Sequence, residues 1–214
     1  MSDGERAGGG RYGAPVDTPT VAALVLAAGG SKRLGRPKQL VDVKGRPLLE
    51  MVVAETAAWP VALVAVVLGH EAEEILERVE FGEATVLINP DWEEGIAASL
   101  RVGLDHLGRE PRLERVLVAL GDQPHIPPEV PPGLIEAMEH SGRPAAVPKY
   151  RFQVGNPVLL DRSLWPRLMS LEGDVGASRL LRTHPEWVEE VWFDRLPPRD
   201  VDTPSDVADL TGGR

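Results

Sequence analysis

The chain of 214 residues has no cysteine, which excludes disulfides, thiolate metal sites and cysteine nucleophiles together. Its five histidines are scattered and none belongs to an HExxH pattern, so little is left for a zinc site either. No apolar run approaches the ~20 residues that cross a bilayer. Positive charge is in the minority, with 23 Lys and Arg against 33 Asp and Glu and a net charge of −10. That balance argues against wrapping nucleic acid, which needs a broad basic face to displace counterions. Residues 21–28, with Arg6 and Arg11 upstream, imitate the core of a signal peptide. Asp3, Glu5, Asp17, Pro15 and Pro19 spoil the leader, and glycines and cations follow at once, so the chain reads as cytoplasmic.

What is present fits a folded protein of ordinary composition, 43% hydrophobic and 26% charged. The length suits one domain. Residues 1–20 hold Gly4, Gly8, Gly9, Gly10 and Gly13 with few apolar side chains and read as a disordered tail. Residues 21–214 read as the domain. Strands are expected at 21–27, 61–69, 84–89, 115–122, near 145–148, at 157–160 and at 190–193. Helices are expected at 47–59, 71–79, 95–107, around 133–140, and at 175–183. The first two strands are continuous apolar runs, the pattern of strands covered on both faces. This alternation predicts an α/β sandwich with a mainly parallel sheet, whose ligands sit beyond the carboxyl ends of the strands.

The stretch LVLAAGGSKRLGRPKQL, residues 24–40, sets a glycine-rich, cationic loop directly behind the first strand. Residues 32–46 carry six cations (Lys32, Arg33, Arg36, Lys38, Lys44, Arg46) and one acid, Asp42. Neither common phosphate loop is spelled here. GxxxxGK[ST] fails at Arg36 and Pro37, and GxGxxG fails at Ser31. What remains is a strand followed by LxxGxxxRxGxxK, on Leu26, Gly29, Arg33, Gly35 and Lys38. Glycines let backbone N–H groups approach an anion, and a guanidinium and an ammonium can bracket a triphosphate. The alternative is a solvated charged turn, the reading given to Lys32, Lys44 and Arg46.

Further along, LVALGDQP (117–124) ends a strand on Asp122, a natural Mg2+ ligand beside a triphosphate or a simple turn residue. In RDVDTPSDVADL (199–210), Thr203, Pro204 and Asp206 spell a helix start. Capping leaves Asp202 unexplained. The tryptophans, Trp59, Trp92, Trp165, Trp187 and Trp192, are scattered and read as packing. His70 and His125 read as solvent or turn residues.

The opening stretch resembles the signature loop of the nucleotidyltransferases that build nucleotide forms of the molybdenum cofactor, the MobA-like NTP transferase family. Its LAAG spelling is similar to the cytidylyl branch. The resemblance runs from about residue 21 to 210 and implies a three-layer α/β/α sandwich with a Rossmann-like sheet of the nucleotidyltransferase type. It implies nucleotide binding by Leu26, Ala27, Ala28, Gly29, Gly30, Ser31, Arg33 and Lys38, with Gly95 and Ser99 at the base. Arg33, Lys38 and Asp122 take the catalytic roles, and Asp122 and Asp202 hold Mg2+. VGNPVLL (154–160) and GDVGASRLL (173–181) are similar to the acceptor-side segments, which assigns Gly155, Asn156 and Asp174 to the acceptor. Asn156 departs from the histidine usual in that branch.

The reaction implied is transfer of CMP from CTP to the terminal phosphate of molybdopterin, with loss of pyrophosphate and a possible handover to a molybdoenzyme. A phosphate nucleophile is already ionised near neutral pH, so no general base is required, and catalysis rests on positioning and charge. The alternatives are transfer to a sugar phosphate or other small phosphorylated acceptor, and a noncatalytic nucleotide-binding regulator.

Overall fold

A computed structural model describes residues 20–31, 34–151 and 153–211. The expected tail therefore lies outside the described residues, apart from Thr20, which opens the first strand. The strands are β1 (Thr20–Ala27), β2 (Asp42–Val43), β3 (Arg46–Pro47), β4 (Leu63–Leu68), β5 (Thr85–Ile88), β6 (Leu113–Leu120), β7 (Ala145–Tyr150), β8 (Gln153–Val154), β9 (Val158–Asp161) and β10 (Val188–Phe193). The helices are α1 (Leu48–Ala57), α2 (Ala72–Arg78), α3 (Ile96–Gly108), α4 (Val130–Ser141), α5 (Trp165–Leu168), α6 (Ala177–Thr183) and α7 (Pro204–Thr211). Among the described residues no helix is long and apolar enough to cross a membrane.

The main sheet runs β10-β7-β9-β6-β1-β4-β5, with β8 paired to β7. Strands β5, β4, β1 and β6 are mutually parallel, as are β7 and β10, whereas β9 is antiparallel to both of its neighbours. The sheet is thus mainly parallel, as expected. Strand β1 shows why it lies at the centre. Val21, Ala23, Val25 and Ala27 face one core, with Leu49 and Val52 of α1, Ile75 of α2 and Leu134 of α4. Ala22, Leu24 and Leu26 face the other, with Leu100 and Leu104 of α3, Leu168 of α5 and Leu181 of α6. A strand apolar on both sides is stable only under two helical layers, and the result is the expected three-layer α/β/α sandwich.

The boundaries shift for local reasons. Strand β6 ends at Leu120, so Asp122 stands two residues past it. Helix α4 starts earlier than expected, because Pro131 and Pro132 lie in its first turn, where a missing N–H costs nothing. The β2–β3 hairpin, β8 and α5 are too short to show a period and were not expected.

Leu24 is fully buried against α3, whose Gly103 leaves just enough room for it. Leu24→Ala should lower unfolding free energy by about 2–5 kcal/mol, read by chemical denaturation.

Candidate active site

Parallel pairing of β1 with β6 sets their carboxyl ends side by side. The Gly121 N–H donates to the Leu26 carbonyl at 2.9 Å. Gly121 is required by this approach, because a Cβ there would stand 2.7 Å from the Cβ of Ala27. The loop after β1 is then drawn inward. Gln39, 1% exposed, donates from Nε2 to the carbonyls of Ala27 (2.6 Å) and Gly29 (3.2 Å). The Lys38 N–H donates to Ser31 Oγ at 2.9 Å.

A second segment approaches from the chain's far end. Val201 donates its N–H to the Asp122 carbonyl at 3.0 Å, and its side chain is buried with Val41, Val43 and Leu48. This small cluster binds the loop, the hairpin and the start of α1 to residues 199–203, a strap that leads into α7. Thr203 and Asp206 close a capping box at that helix: Asp206 Oδ2 accepts from the N–H groups of Asp202 (3.1 Å) and Thr203 (2.7 Å), and Thr203 Oγ1 from the Asp206 N–H at 3.3 Å. The Thr203 hydroxyl bond and these two N–H groups hold the Asp206 carboxyl below its ordinary range.

The two constructions meet at one ammonium. Lys38 Nζ donates to Asp122 Oδ2, and to Asp202 Oδ1 at 3.3 Å. Burial alone would lower the lysine pKa, but the two carboxylates outweigh it and raise the value above the ordinary range. Asp200 sits at the exposed rim with its carboxylate turned inward. Loss of solvent around that group raises its pKa; the Gln123 hydrogen bond and Lys38 oppose this, and Asp122 and Asp202 add to it. Two hard-oxygen carboxylates already gathered round one cation suit a divalent ion. No group of three or more His, Cys, Asp or Glu that could hold a metal occurs among the described residues. An ion at this pair would draw its other ligands from phosphate or water.

A cleft of about 690 Å³ opens beside this cluster. It is lined by Leu26, Ala27, Ala28, Gly29, Gly30, Lys38, Gly95, Ser99 and Asp122, which brings most of the expected nucleotide residues together. Ser31 stands at the turn of the loop, bonded to Lys38. Arg33 lies outside the described residues. Ser99, read as a base contact or as a residue bonding back within its helix, instead accepts from Asn89 Nδ2 at 3.0 Å. Gly95 has a φ of 104°, outside the helical region, so α3 starts after it. A Cβ there would strike the Gly173 backbone at 2.4 Å.

Asp174, grouped with the acceptor residues, lines the first cleft, where the Gly173–Gly95 contact carries it. Gly155 and Asn156 line a second cavity of about 700 Å³, with Arg143, Ser178 and Arg182 on its walls. Trp92 does more than pack: its ring lies 4.8 Å from that of His70 and forms part of the first cleft, while Trp192 is 62% exposed. Sequence reasoning also passed over Gln39, Gln123 and Asp200. The signal available was a glutamine directly after Lys38 and directly after Asp122, in PKQL and GDQP.

A cleft beyond the carboxyl ends of parallel strands, with a glycine-rich loop and a lysine facing two acids, defines a nucleotidyltransferase-type protein. Residues 23–188 match the model of the MobA-like NTP transferase domain. The chain belongs to that family, as its opening loop implied. It is 32% identical over 198 residues to nicotine blue oxidoreductase of Paenarthrobacter nicotinovorans, covering 87% of this chain and 94% of that protein. Among solved structures, the homologue of Mycobacterium tuberculosis Rv0371c from Mycobacterium sp. strain JC1 has a TM-score of 0.81 at 32% identity, covering 91% of this chain and 98% of its own. The manganese complex of Rv0371C from Mycobacterium tuberculosis H37Rv has a TM-score of 0.76 at 26% identity, covering 91% of this chain and 100% of that one.

Replacing the shared cation tests the geometry without any substrate. Lys38→Met should lower stability near neutral pH by about 1–3 kcal/mol, since two facing carboxylates lose their partner. Because the lysine pKa is raised on folding, its contribution is complete below the ordinary lysine range and is lost only as pH rises through the raised value. The difference between wild type and variant should therefore persist through mildly alkaline pH and narrow beyond it, as read by thermal melts. Mn2+ should stabilise the variant more than the wild type.

Proposed function

We propose that this protein transfers CMP from CTP to the terminal phosphate of a molybdopterin-type acceptor and releases pyrophosphate. The observation that carries this reading is the meeting of Lys38, Asp122 and Asp202 at the mouth of the cleft lined by the LAAGG loop. In this reading the backbone of Gly29–Ser31 receives the triphosphate, assisted by Lys38 and Arg33. Leu26, Ala27, Ala28, Gly95 and Ser99 enclose the base and ribose. Trp92 supplies the remaining wall.

The acceptor enters from the side of Gly155 and Asn156, and Asp174 meets it from the wall of the first cleft. Its ionised phosphate oxygen attacks the α-phosphorus; a new O–P bond forms as the bond to the bridging oxygen breaks, and the electron pair leaves with pyrophosphate. Lys38 stabilises the charge that grows on that leaving group. Asp122 and Asp202 hold a divalent ion, Mg2+ in this reading, whose chemistry when bound is to neutralise phosphate charge. The manganese complex of the Mycobacterium tuberculosis neighbour supports a divalent ion.

A second reading follows from the relative that matches over 94% of its length and is named an oxidoreductase. One paired assay separates the two: pyrophosphate release from each nucleoside triphosphate against a panel of phosphorylated acceptors, beside redox turnover of nicotine blue followed by its colour. We expect CTP with molybdopterin to give the fastest pyrophosphate release. A faster sugar phosphate would reassign the acceptor, and turnover of nicotine blue without pyrophosphate release would defeat the transferase reading. Lys38→Ala and Asp122→Ala should each cut turnover by about a hundredfold or more while the far-ultraviolet CD spectrum stays that of the wild type.

A further inference from the structure

Gln123 is 9% exposed and follows Asp122, which lines the first cleft, while its hydrogen-bond partner Asn156 lines the second cavity. Both ends of its amide are occupied by segments remote in sequence. Oε1 accepts from Asn156 Nδ2 at 2.9 Å, and Nε2 donates to Asp200 Oδ1. Asn156 is fixed independently of this contact: its carbonyl accepts from the Tyr150 hydroxyl at 2.8 Å, and the Gly155 N–H reaches the Pro148 carbonyl at 3.0 Å. On the other side, Asp200 leads directly to Val201, bonded to the Asp122 backbone, and to Asp202, bonded to Lys38. One buried amide therefore joins the wall of the second cavity to the strap that carries Asp202. A buried amide with an empty end is unfavourable, so this side chain resists losing either partner.

The transfer reaction makes that join consequential. An in-line displacement fails when the attacking oxygen and the phosphorus are misplaced by about 1 Å, at a cost near a hundredfold. Here an acceptor beside Asn156 and a nucleotide beside Asp122 and Asp202 occupy different cavities. No strand pairing connects residues 155–157 with residues 199–203. We propose that Gln123 is a positioning residue for nucleotidyl transfer, which sets the distance between an acceptor in the second cavity and the acid pair of the first. The proposal rests on the transferase reading given above. Gln123 acts through Asn156 and Asp200 and touches no reacting atom.

The test compares Gln123→Met, Asn156→Ala, their double variant, Asp200→Ala and Asp200→Asn, all in the full-length protein. Gln123→Met preserves shape without hydrogen bonds, and Asp200→Ala cuts the same link from the exposed rim without changing the buried side chain. We expect Mn2+ binding with CTP, followed by electron paramagnetic resonance, and the KM for CTP to stay at wild-type values. With the acceptor identified by the screen, kcat should fall by about a hundredfold in Gln123→Met and Asp200→Ala. Asp200→Asn keeps an oxygen for Gln123 and should restore the rate. The double variant should be no slower than the slower single variant, because both changes break one connection. Multiplying losses, a wild-type kcat in Asp200→Ala, or an equal loss in Asp200→Asn would overturn the assignment. Amide exchange gives a readout without turnover: residues 153–156 and 199–203 should both exchange faster in Asp200→Ala and Gln123→Met, and unchanged exchange in either segment refutes the link. Absence of pyrophosphate release by the wild type against every acceptor would refute the transferase reading instead, and exchange would still decide whether Gln123 joins the segments.

Discussion

Two carboxylates separated by eighty residues of chain share one lysine, and much of the molecule serves to bring these three groups together. Like charges at close range repel, and the repulsion grows as water is excluded. Asp122 and Asp202 stand together because the Lys38 ammonium lies between them. Each group reaches that point by a different device. Parallel pairing of β1 and β6 delivers Asp122, buried Gln39 pulls in the loop that bears Lys38, and the Val201 side chain anchors the strap. The cluster keeps a net negative charge of one unit.

The central strand, the glycine and cation loop and the capping box were legible because each is a local pattern. VAALVLA is apolar at every position, and only a strand buried on both faces uses such a run. Thr203, Pro204 and Asp206 form a capping motif whose parts lie within four residues, and the structure bonds them as that motif requires. Asp122 stood out as an acid at the end of an apolar run. Other parts were hidden because they depend on partners far away in sequence. Gln39, Gln123 and Asp200 are single polar residues with no periodic signature, and their importance comes from what a distant backbone brings to them. Asp174 lines the first cleft through the contact of Gly173 with Gly95, a link that no local pattern shows. Trp92 was indistinguishable by composition from the tryptophans that only fill the core.

Family membership and activity part company in a telling way. A protein related over almost its entire length carries the name of an oxidoreductase. The sandwich of helices around a mainly parallel sheet is thus a frame on which different chemistries are mounted, and the reaction is decided by a few side chains at the sheet's carboxyl edge. In this chain a lysine and two aspartates meet at that edge. They are groups suited to charged phosphates, and they argue for transfer more strongly than the fold does.

Gly95 and Gly173 touch back to back, and the N–H of Ala97 donates to the Gly173 carbonyl at 3.1 Å. That seam fastens the start of α3, beside one cavity, to the turn that precedes α6, whose Ser178 and Arg182 line the other. Any side chain grafted onto Gly95 would have to prise the two segments apart, so the bare backbone at that position is a condition of the closure.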